Sequence, residues 1–166
     1  MFGLFKSTVI NDEILGPFSR RGGDWIGTID LADFSAVELR LEGDRKAPFP
    51  ETLRAAYALP DRLTSLVPKI AAALLEHLEP YQDAMQDPVE QQFFLKHIPD
   101  PAERKQIAEI ATAEQAWAAS SISGVEIGRE NGKVRLLLKI GTPWDVEHTL
   151  GAFLDDWKFM ELNGSV

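Results

Sequence analysis

The hydrophobic period of this chain changes twice, and no other feature constrains the fold as tightly. Near the start, Trp25, Gly27, Ile29 and Leu31 alternate with Ile26, Thr28 and Asp30. Val37, Leu39 and Leu41 then alternate with Glu38, Arg40 and Glu42. A period of two places successive side chains on opposite faces, so these are strands with one buried side. After the linker 44–51 the period becomes 3.6. Ile70, Leu74, Leu78, Tyr81 and Met85 recur at spacings of four, four, three and four, which is one stripe of a helix. The period of two returns at Val125 and Ile127, and again at Val134, Leu136, Leu138 and Ile140. Strands at both ends with helices between them predict an α+β fold. The expected arrangement is an antiparallel sheet, built from an N-terminal three-strand meander and the C-terminal strands. Central helices over 52–119 should cover one face of it. A chain of 166 residues buries enough surface for one core, so 1–166 reads as a single α+β domain.

Local signals divide these regions. Residues 13–18 form a short strand interrupted by Gly16 and Pro17, which suits an edge. Thr52 to Ala58 reads as a short helix closed by Pro60, followed by a long helix from about 62 to 85 that Pro80 should kink or split. Asp87-Pro88-Val89-Glu90 and Asp100-Pro101-Ala102-Glu103 share one capping pattern: an acceptor before the first turn, then a proline whose missing donor has no partner there anyway. They predict helices at about 88–97 and 101–119. Asn131-Gly132 marks a tight hairpin between strands at 122–129 and 133–140. Two more strands are expected at 147–154 and 157–162, joined at Asp155-Asp156.

Composition narrows the function classes. Without Cys there are no disulfides, thiol nucleophiles, iron–sulfur clusters or Cys-ligated zinc. The formal charge of −9 argues against binding phosphate backbones by bulk attraction, so no nucleic-acid partner is expected. Met1 to Lys6 are too short for a signal-peptide core, and the longest apolar run, Ile70 to Leu75, is far too short to span a bilayer. The expectation is a cytoplasmic protein with no membrane partner. No phosphate-cradling loop, nucleophile elbow or His-Glu-x-x-His pattern occurs, and no cofactor is implied. Between Glu76 and Glu103, seven acids face one Lys; between Thr142 and the C-terminus, five acids face one Lys. If the two segments adjoin, they make an acidic surface suited to a basic protein partner. The alternative is a solvated helix face plus helix caps, because Asp87, Glu90, Asp100 and Glu103 belong to the capping motifs.

The residues that carry chemistry are few. His97, at a helix C-terminus, is explained by the helix dipole, and His77 reads as a boundary residue of the long helix. The densest polar group is Trp144-Asp145-Val146-Glu147-His148. Asp145, Glu147 and His148 are the candidate metal or acid/base residues. In an extended strand, however, His148 would face away from the two carboxylates, and all three converge only if the backbone bends. The plainer reading gives them structural hydrogen bonds at a strand entrance. Trp25 and Trp117 read as core. Trp144, beside Pro143, reads as the exposed tryptophan and thus as a contact residue.

The C-terminal stretch resembles uncharacterised bacterial families of small α+β domains with a W-D-x-E-H-x-L-G hairpin. The matching residues are Trp144, Asp145, Glu147, His148, Leu150 and Gly151. Trp25-x-Gly27 and Leu53 to Ala56 are similar to them as well. The resemblance implies unknown function, with immunity-like or accessory roles for some members. It implies no catalytic residues, and any shared site falls on Asp145, Glu147 and His148. The leading expectation is a non-enzymatic protein-interaction module, immunity-like or regulatory, that uses Trp144, Asp145, Glu147 and His148 to bind an unidentified, basic protein. The alternatives are a metal-assisted hydrolase using Asp145, Glu147 and His148, and a small-ligand binder with an aromatic-lined pocket.

Overall fold

A computed structural model describes residues 8–164 and 166, so Met1 to Lys6, read above for targeting, lie outside the described residues. Eight strands form one sheet in sequence order. They are β1 (Val9–Asp12), β2 (Gly16–Arg21), β3 (Asp24–Leu31), β4 (Phe34–Leu41), β5 (Ser121–Glu130), β6 (Lys133–Gly141), β7 (Leu150–Asp155) and β8 (Lys158–Asn163). Every neighbouring pair is antiparallel except one: β4 and β5 run parallel, with Glu38 opposite Gly124 and Leu41 opposite Ile127. The sheet is therefore two antiparallel meanders joined along a parallel seam. Parallel neighbours need a crossover, and the helical middle of the chain supplies it.

Two expectations are corrected here. The N-terminal meander has four strands, not three, because Val9–Asp12 pairs with Gly16–Arg21 through a turn that Asp12 closes on the amides of Ile14 and Leu15. The sheet is also not wholly antiparallel. Single-chain periodicity carries no information on how two distant strands are oriented to each other.

Between the meanders lie α1 (Pro50–Gln86), α2 (Gln91–His97), α3 (Pro101–Ala108) and α4 (Ala113–Ala118). The long helix runs unbroken through Pro60, Pro68 and Pro80, where a break had been expected at the first and a kink or split at the last. Each proline removes one intrahelical bond. The buried residues Ala55, Ala56, Leu59, Leu63, Leu66, Ile70, Leu74 and Leu78 flank all these points, and their burial offsets the loss. The expected helix over 101–119 is instead two. Thr112 accepts from the amide of Gln115, and the Gln115 side chain accepts from the amide of Thr112 in return, a capping box that restarts the helix as α4. Asp100 caps α3 as the motif predicts, accepting from the amide of Ala102 at 2.8 Å. Asp87 holds the amides of Val89 and Glu90, but the turn it closes precedes α2 and is not part of it.

The core lies between the helices and one face of the sheet. Trp25, Ile29, Leu31, Val37, Leu39, Leu41, Val125, Ile127, Leu136, Leu138, Leu150, Ala152 and Leu154 meet the apolar stripe of α1. The opposite face is mixed, with charged residues beside half-buried Ile26, Leu137 and Phe153. One row across it runs Ser19, Ile26, Arg40, Glu126, Leu137, Phe153, Glu161. Among the described residues, no helix is long and apolar enough to cross a membrane.

Candidate functional site

Residues 142–149 connect β6 to β7 as a loop, so Glu147 and His148 are not strand residues as expected. This removes the alternation that would have turned His148 away from Asp145. The loop turns Thr142, Trp144 and Asp145 inward and Val146, Glu147 and His148 outward. Trp144 and Asp145 are buried, at 1% and 7% exposure, whereas Val146, Glu147 and His148 are exposed. Trp144 is thus corrected from surface contact to core. An indole this deep needs a hydrogen-bond acceptor, and its Nε1–H donates to Nδ1 of His77 at 3.1 Å.

That bond fixes the state of His77. Indole nitrogen only donates, so Nδ1 of His77 must be bare and the neutral ring carries its proton on Nε2. Nε2 lies 3.8 Å from Oδ2 of Asp145. Burial lowers the basicity of His77, with the Asp145 charge opposing and His148 assisting. A proton on Nδ1 would also cost the indole its acceptor.

Asp145 is the centre of the cluster. Oδ2 accepts from the Tyr81 hydroxyl at 2.8 Å, and Oδ1 lies 2.9 Å from Nδ1 of His148. Its backbone amide donates to the hydroxyl of Thr142, itself buried. Burial, together with the hydrogen bond to Asp145 and its charge, pushes the Tyr81 phenol well above its ordinary range. Tyr81 stacks obliquely on His77, with ring centroids 5.2 Å apart, and stands edge-on to Phe94. His77 and Tyr81 are one helical turn apart on α1, so a single helix face supplies two of the partners. Glu147 turns away from this centre, and Nε2 of His97 lies 3.2 Å from its Oε1.

The predicted residues therefore separate into two pairs, Asp145 with His148 and Glu147 with His97. Among the described residues, no three His, Cys, Asp or Glu are placed to hold one metal ion. His77 and Tyr81 belong to the site although neither was singled out for it. Their signal was two polar rings, one turn apart, next to an otherwise aliphatic stripe.

A hollow of about 100 Å³ opens beside the cluster, lined by Tyr81, Phe94, His97, Ile98, Trp144, Asp145, Val146, Glu147 and His148. A wider groove of about 440 Å³ shares His97, Ile98 and Val146 with it and continues along Glu103, Gln106, Ile107, Ile110, Ala119 and Pro143. The acids of the C-terminal segment do not all gather here. Asp155 pairs with Lys133 at 3.5 Å, and Glu161 lies in the row across the opposite face of the sheet.

No family model, no curated protein and no solved structure matches this chain.

Proposed function

We propose that the protein is a non-enzymatic interaction module that docks a protein partner with a basic segment along the groove between α3 and the 142–149 loop. The observation that carries this reading is the construction of the loop. Trp144 and Asp145 anchor it from within, so Val146, Glu147 and His148 are presented outward on a fixed base beside an apolar groove. A preorganised loop loses little freedom on binding, which favours affinity. Val146 is 53% exposed and supplies an apolar contact; exposed Glu103 and Glu147 attract a cationic partner. An immunity-like or regulatory role and a cytoplasmic setting fit this chemistry.

The test uses an Arg- and Lys-rich peptide as the probe. Affinity should fall with added salt and should fall further in Glu103→Lys and Glu147→Lys, whereas Asp156→Lys and Glu161→Lys should bind as the parent does. Salt-independent binding, or equal losses in all four variants, would overturn the proposal.

A further inference from the structure

We infer that the hollow beside Asp145 is the receptor for one basic side chain, a Lys ammonium or an Arg guanidinium, of the partner. The inference rests on the docking reading above and specifies the chemistry of its central contact. Its walls combine the rings of Tyr81, Phe94 and Trp144 with the carboxylates of Asp145 and Glu147. Aromatic rings attract a cation through their quadrupole, and carboxylates take its N–H groups in charge-assisted hydrogen bonds.

The chain meets these carboxylates with imidazoles rather than with Lys or Arg: His148 lies 2.9 Å from Asp145 and His97 lies 3.2 Å from Glu147. It has 17 Lys and Arg, yet among the described residues none lines the hollow. Asp145, more than nine-tenths buried, has only imidazoles and a phenol around it. By contrast, the carboxylates of Glu126 and Asp155 on the sheet are met by Lys or Arg. His148, with Nδ1 2.9 Å from Oδ1 of Asp145, lines the same hollow. The size fits as well. At about 100 Å³ the hollow suits the end of one side chain, below the range of about 300–1,000 Å³ typical of whole small-molecule sites. The apolar groove alongside would take the residues flanking that side chain.

The experiment follows the indole N–H of Trp144 by NMR in the full chain, assigned by its loss in Trp144→Phe. The probes are n-butylammonium and methylguanidinium, with n-butanol as the neutral match. Both cations should shift the resonance saturably and butanol should not. Glu147 is exposed, so Glu147→Gln should leave the fold intact and weaken the cations by about fivefold. No shift, an equal response to butanol, or unchanged cation affinity in Glu147→Gln would overturn the inference. A short peptide with a central Lys should bind more tightly than n-butylammonium and more tightly than the same peptide with norleucine. A free amine that outcompetes the Lys peptide would overturn the assignment to a partner side chain. The two proposals fail separately. A basic peptide that binds through Glu103 and Glu147 while the Trp144 signal stays silent removes the receptor and keeps the docking face. A hollow that takes n-butylammonium while basic peptides ignore both glutamates removes the docking face.

Discussion

The molecule handles carboxylates in two contrasting ways. On the outer face of the sheet, Arg40 sits among Asp24, Glu38 and Glu126 at 3.9, 3.5 and 3.7 Å, and Lys139 reaches Glu126 at 2.7 Å. These groups are a third or more exposed, apart from Lys139 at 28%, and each carboxylate has a guanidinium or ammonium beside it. Under the helices, Asp145 is almost fully buried and is held by Tyr81 and His148, with no Lys or Arg. Water screens the first arrangement, so it adds little to stability. The second is shielded from water, so each missing partner is costly, and it holds the surface loop in place.

The sharpest way to break this contrast is Trp144→Ala. It removes a buried ring and leaves His77 without its donor, and should cost about 3–5 kcal/mol in denaturant unfolding. Tyr81→Phe keeps the ring and removes one hydrogen bond to a buried charge. We expect a loss of about 1–3 kcal/mol, and a 142–149 loop that exchanges its amide hydrogens faster. A pH series then isolates His77. Its basicity in the folded protein lies below the ordinary value of 6.5, so the folded state binds the proton less readily than the unfolded chain. Its contribution is complete above that ordinary value and is lost as pH falls through the lowered one. Unfolding at pH 7.5 and pH 5 should show a smaller acid loss in His77→Gln than in the parent, because glutamine still accepts from Trp144. The smallest effect belongs to the sheet: Glu38→Gln should change stability by less than about 1 kcal/mol, and less still in high salt. A larger cost there than for Tyr81→Phe would reverse the comparison.

What the sequence disclosed follows the same division. Alternation at Val37, Leu39 and Leu41 located a strand because one face is buried and the other wet. Asn131-Gly132 located a hairpin because both residues adopt positive φ there, 52° and 78°. Asp100 announced a helix because a cap is a local bond. The capping box at Thr112 and the turn at Asp12 were local signals passed over; the other misses were decisions taken by distant residues. Pro60 did not end a helix because Leu59 and Leu63 are buried on either side of it. The second carboxylate oxygen of Asp145 found its partner 64 residues away on α1, where no nearest-neighbour rule applies. His148 was expected on the far side of a strand, and the loop that brings it back is set by Trp144 reaching His77.

The parallel seam has a consequence for how the molecule comes together. Each meander joins strands that are neighbours along the chain, so each leaf can zip up locally and early. The seam between Glu38–Leu41 and Gly124–Ile127 has to wait until everything between them has been laid across the leaves. It works as the closing stitch: its amides should be the last to gain protection from exchange during refolding.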